Sequence, residues 1–131
     1  MVTLREPYYV PVVADPHVFG ILNTPESKPG YMAIVPEDSD WPNECPARAV
    51  LELLFYRPIS RAREVRCPAL VIMGERDSLI YPPAVERAAS RMREVTLIHM
   101  DIGHFDVYLG ECFEKVVAVQ EDFLARHLGR E

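Results

Sequence analysis

The chain has 131 residues, 49% of them hydrophobic and 26% charged, which is enough for one ordinary globular domain and too apolar for a disordered one. A net charge of −6, with Lys28 and Lys115 as the only lysines and the arginines dispersed, argues against the clustered basic face that nucleic acid requires. No apolar run approaches the roughly 18 residues of a membrane span, and Met1 to Pro11 lacks the apolar core of a signal peptide, so no membrane partner is expected.

Cys45, Cys67 and Cys112 are odd in number and form no C-x-x-C pair, so neither a zinc site nor a redox dithiol is read. A reduced, cytoplasmic protein is the expectation, and a disulfide stays open for a hyperthermophilic source. Met1 to Pro42 is rich in prolines and aromatics, which disfavours long regular elements because each proline fixes its own φ and extends the residue before it. Tyr8 to Val13 reads as a short strand or extended segment. Thr24 to Gly30 reads as a polar loop turning at Lys28-Pro29-Gly30, and Tyr31 to Val35 is apolar enough to pack. Asn43 to Tyr56 reads as a helix, capped near Asn43 or Glu44 and entered through Pro46. Its apolar stripe would be Val50, Leu53 and Leu54, and Pro58 would stop it. Ile59 to Arg66 is a connector of mixed charge, read as a solvated face.

The pattern then changes. Ala69 to Met73 is an unbroken apolar run between Pro68 and Gly74, the composition of a strand covered on both faces. Pro82-Pro83 opens a helix with Val85, Ala88, Ala89 and Met92 inward and Glu86, Arg87, Arg91 and Arg93 outward. Val95 to Met100 is a second strand, so the three elements form a βαβ unit with parallel strands. Glu111 to Leu128 closes the chain as a helix whose apolar face runs Phe113, Val116, Val117, Gln120, Leu124, Leu128, widened by Val119 and Phe123. Gly129 is its stop.

In a parallel sheet, functional groups collect beyond the carboxyl ends of the strands. Asp77 follows the first strand by the turn Gly-Glu-Arg, and His104 follows the second by Asp-Ile-Gly, so both emerge at the same sheet edge. A carboxylate beside an imidazole fixes its tautomer and stabilises its protonated form, leaving the other ring nitrogen as a base. Histidine suits this because it titrates near working pH. A turn-capping role for Asp77 and a plain loop position for His104 are the bland alternatives. His99, Asp101, His104 and Asp106 together suggest a metal set. A strand histidine and a loop histidine face differently, so no metal is assigned, and no glycine-rich phosphate loop marks a cofactor.

These two motifs carry a resemblance. R-C-P-A-L-V-I-M-G-E-R-D resembles the penultimate strand and acid loop of the α/β-hydrolases, V-T-L-I-H-M-D-I-G-H-F the last strand and histidine loop, and Glu111 to Leu128 the closing helix. The resemblance covers Val65 to Leu128, about half the chain, and implies that Asp77 is a triad acid and His104 its base. Met1 to Ser60 is similar to the lid-like insertion that precedes the acid strand. The family's G-x-S-x-G elbow does not occur: Ser27, Ser39, Ser60, Ser78 and Ser90 all lack flanking glycines, and no cysteine replaces them.

The expected fold class is therefore α/β: a truncated α/β-hydrolase-like fold, one parallel βαβ unit with flanking helices and an irregular N-terminal arm. Residues 1–64 would form the lid-like arm and helix and residues 65–131 the βαβα part, within one compact unit. Two parallel strands leave unpaired edges and part-covered faces, so a homodimer, or a complementing chain carrying the nucleophile, is the expected partner. The expected function is a serine-hydrolase descendant, esterase- or peptidase-like, that supplies acid and base and is inactive alone. The alternative is a non-enzymatic interaction or small-molecule-binding module on the same scaffold.

Overall fold

The computed structural model describes residues 7–53 and 55–129. The fold is mixed α/β, with one antiparallel and one parallel strand pair and several helices. Contacts divide the chain into two compact units, Met1–Tyr56 and Arg57–Glu131. Among the described residues no helix is long and apolar enough to cross a membrane.

In the first unit, β1 (Tyr9–Pro11) pairs antiparallel with β2 (Glu44–Pro46), Val10 standing opposite Cys45. Both strands are short because Pro11 and Pro46 donate no backbone hydrogen bond. What extends the pairing is a side chain. The amide of Asn43 accepts from the Val13 N–H at 2.9 Å and donates to the Val13 carbonyl at 3.0 Å, imitating one more strand residue. Asn43 has φ 51°, a left-handed conformation that asparagine tolerates better than most side chains. Val10, Val13 and Ala14 are buried behind this junction.

Two expectations are corrected here. The stretch Thr24 to Gly30 is no simple loop, because Ser27–Ile34 is a helix, α1, with Lys28-Pro29-Gly30 in its first turn. First-turn amides have no intrahelical partner, so proline fits there without loss. The fully buried Ser27 hydroxyl accepts from the Thr24 N–H at 3.0 Å, anchoring the entry. Second, the helix expected from Asn43 to Tyr56 shrinks to α2, Arg48–Leu53, because Glu44 to Pro46 is held as a strand by β1. Its Val50 and Leu53 are exposed, and Leu54 lies outside the described residues.

The second unit begins with a 3-10 helix, Pro58–Glu64, where a charged connector was expected, and its one buried residue is Ala62. It leads into β3 (Ala69–Gly74), α3 (Pro82–Ala89) and β4 (Val95–Met100). The two strands pair in parallel, with Ala69 opposite Val95 and Gly74 opposite Met100. The last helix, α4, spans Gly110–Leu128. Its buried residues are Val116 and Phe123, and the covered seam follows Cys112, Val116, Val117, Val119 and Phe123, narrower than the face read from periodicity. Phe113, Leu124 and Leu128 stay exposed. Gly129 ends the helix with φ −59°, without a left-handed turn. All three cysteines are free.

Candidate active site

Because β3 and β4 are parallel neighbours in register, their carboxyl ends stand side by side, and the two loops that leave them are stitched together at once. The Glu75 N–H donates to the Met100 carbonyl at 2.8 Å and the Arg76 N–H to the Ile102 carbonyl at 3.1 Å. Gly74 is what permits this approach. A Cβ at that position would lie 2.7 Å from the Ile102 carbonyl oxygen, closer than a side chain tolerates against backbone.

The crossing delivers the two residues singled out from the sequence to each other. Asp77 Oδ2 lies 2.9 Å from His104 Nδ1. The other carboxylate oxygen, Oδ1, accepts from the Leu79 and Ile80 N–H groups, each at 2.8 Å. The capping role and the histidine contact are therefore one arrangement. Two backbone amides hold one oxygen and thereby aim the second at the imidazole. Burial is the largest single influence on Asp77 and by itself raises its pKa, because it disfavours the charged form. It is outweighed by the combined effect of the Ile80 amide, the His104 hydrogen bond, the Leu79 amide and the charge of a protonated His104, so the carboxyl sits below its ordinary pKa. An ionised carboxylate only accepts hydrogen bonds, which puts the proton of the neutral imidazole on Nδ1 and leaves the lone pair on Nε2.

His104 itself is set by its flanks. The Gly103 N–H donates to Asp106 Oδ2 at 2.7 Å, a side-chain turn that closes the loop around the histidine. The ring of buried Phe105 stands edge-on to the imidazole at 5.0 Å. The Asp77 and His104 side chains are 13% and 29% exposed, so the pair is sheltered yet reachable. Beside it lies a hollow of about 210 Å³ lined by Ile72, Met73, Val85 and Tyr108, and a second of about 380 Å³ continues between β3 and α4 past Leu70, Phe113 and Val117. The first is also lined by Gly103 and His104 from the loop after β4, and the second lies where α4 packs over the face of β3 that carries Leu70 and Ile72.

The other polar residues weighed as metal ligands are engaged separately. His99 faces Glu75 at 3.5 Å, Asp101 pairs with Arg76 at 2.7 Å, and Asp106 caps Gly103. Among the described residues no group of three or more His, Cys, Asp or Glu side chains gathers as a metal site. Arg76 and Gly74 shape the site without a motif of their own in the sequence. The only available signal was their place in the turn that also carries Asp77.

What the fold and site define is a mixed α/β protein with an acid–histidine pair at the carboxyl edge of a parallel strand pair. The chain is similar to the quorum-quenching protein AidA of Acinetobacter baumannii, 35% identical over 121 residues, which is 92% of this chain and 40% of that protein. It is also similar to an uncharacterized 31.7 kDa protein from the traX-finO intergenic region of Escherichia coli, 32% identical over 113 residues, 82% of this chain and 39% of that one. The chain thus spans about two fifths of the length of these curated relatives. No family model and no solved structure matches it.

Proposed function

We propose that this chain supplies the acid and the base of a serine-hydrolase-type triad, esterase- or peptidase-like, on part of an α/β-hydrolase scaffold. The observation that carries the reading is the 2.9 Å contact between Asp77 and His104. A carboxylate fixed by two backbone amides is a suitable orienter for a catalytic imidazole. His104 Nε2 would take the proton of a hydroxyl nucleophile as that oxygen bonds to the substrate's acyl carbon. The same proton would then pass to the departing alcohol or amine as its bond breaks. Water, deprotonated in turn by Nε2, would release the acid and restore the hydroxyl. Asp77 stays ionised throughout and stabilises the transient imidazolium.

No serine or cysteine of this sequence stands in a G-x-S-x-G elbow, so the nucleophile in this reading comes from polypeptide outside these 131 residues. The unpaired edges of β3 and β4, which pair only with each other among the described residues, would take a complementing chain or a second copy. The similarity to a quorum-quenching protein makes quorum-signal molecules the substrates to try first.

The test is hydrolysis of short p-nitrophenyl esters by the chain alone and with a polypeptide supplying an elbow-bearing half. Turnover that needs the complement and is abolished by His104→Ala supports the proposal. Complemented turnover indifferent to His104→Ala, or turnover by the chain alone, overturns it. A stable dimer by light scattering that never turns over under either condition favours the non-enzymatic module, a reading supported by those unpaired edges.

A further inference from the structure

The geometry points to Arg76 as a positioning residue that latches the His104 loop onto the Asp77 loop. Only three residues, Asp101, Ile102 and Gly103, separate the end of β4 from His104. Arg76 reaches two of them. Its Nε lies 2.7 Å from Asp101 Oδ1, its Nη2 donates to the Asp101 carbonyl at 2.7 Å, and its own backbone N–H donates to the Ile102 carbonyl at 3.1 Å. The third, Gly103, is held by Asp106 at 2.7 Å. Every residue of the connection is therefore pinned, and the residue doing most of the pinning is the covalent neighbour of Asp77. Any shift of one loop carries the other with it.

The Arg76 and Asp101 side chains are 63% and 78% exposed, and ion pairs in that setting add little to stability. Their geometry argues for a different contribution. A planar guanidinium engages a carboxylate and a carbonyl at once, which fixes direction as well as distance, and a lysine ammonium cannot reproduce that fork. A hydrogen bond such as that of His104 to Asp77 survives only small misplacement, so a surface fork that fixes the loops preserves the contact at little energetic cost.

The inference concerns the same site as the proposed hydrolysis but rests only on the Asp77–His104 geometry. Its test needs no turnover, so the two can fail independently. The tautomer of neutral His104 is read from its ring ¹⁵N shifts through the non-exchanging carbon-bound protons, in the wild-type chain and in Arg76→Ala, Arg76→Lys and Asp101→Asn. The wild type is expected to show the Nδ1–H form. Both Arg76 variants are expected to lose that signature toward the Nε2–H form, while amide spectra away from the loops and the melting temperature stay unchanged. Asp101→Asn keeps the carbonyl and loses the carboxylate, and is expected to lose the signature in part. Retention of the Nδ1–H form in both Arg76 variants overturns the latch, and so does loss in alanine but not lysine, which would leave charge alone as the cause. Should an Arg76 variant fail to fold, Asp101→Asn decides: an unchanged tautomer there overturns the latch.

Discussion

The two units of this chain are specified in different ways. In Met1–Tyr56 the strands are three residues long and the junction depends on single side chains that stand in for backbone, Asn43 against Val13 and Ser27 against Thr24. In Arg57–Glu131 six-residue strands pair along their full length, and the amphipathic helices α3 and α4 pack against them. The first mode stakes much on individual hydrogen bonds, whereas the second spreads the same task over repeated burial. Only the second produces a regular edge at which two loops can be held in fixed register, and that is where the acid–histidine pair sits.

The largest expected effect tests the burial mode. Phe105 is 7% exposed and stands against His104. Truncation to alanine removes a buried ring and leaves a cavity, a change that costs about 3–5 kcal/mol. Urea denaturation followed by far-ultraviolet circular dichroism should show that loss, and a cost under about 1 kcal/mol would mean that burial there does not organise the loop.

The next effect tests the single-bond mode. Asn43→Ala deletes both hydrogen bonds to Val13 and leaves at φ 51° a residue that tolerates the left-handed region less well than asparagine. A cost of about 1–3 kcal/mol is expected from the orphaned Val13 backbone groups. Asn43→Gly, which relieves the backbone conformation but not the missing bonds, should recover only part of it. The readout is the fluorescence of Trp41, the only tryptophan, stacked on Tyr31 at 4.8 Å within the same unit. Full recovery by glycine would assign the junction to backbone conformation alone.

The same contrast decides what could be read from the residues. The continuous apolar run bounded by Pro68 and Gly74 announces β3 and, with the periodicity of Val85, Ala88 and Ala89, the βαβ order, because such a run needs no partner to be seen, although only Met73 of the strand is buried. That the loops of Asp77 and His104 meet follows from that order, since both leave the same edge. The β1–β2 pairing has no such signal. It joins segments thirty or more residues apart through two three-residue strands and one asparagine amide, and Pro29 in the first turn of α1 looks from sequence like a loop residue. Nor does periodicity show which half of an apolar helix face is covered. α4 offers more apolar positions than the seam through Val116 and Phe123 uses. Arg76 was illegible for a related reason, since an exposed charge carries no pattern until its partner is placed.

The smallest effect is a pH dependence that belongs to the second unit alone among these contacts, because the Asn43 amide does not titrate. Asp77 has a folded pKa below its unfolded value of about 3.9, so folding favours its ionised form. The stability this contributes is fully present above about pH 3.9 and is lost as pH falls through the lower folded pKa, because the unfolded chain binds the proton first. Asp77→Asn keeps an oxygen for the Leu79 and Ile80 amides but can no longer ionise, and it presents an amide to Nδ1 wherever that oxygen is used. The variant should therefore be less stable than the wild type at pH 7, and the gap should close on acidification below pH 4. The measurement is the urea midpoint of both chains between pH 2 and pH 7. Curves that run parallel through the acid range would detach Asp77 from the stability of its unit and remove the electrostatic reason for pairing it with His104.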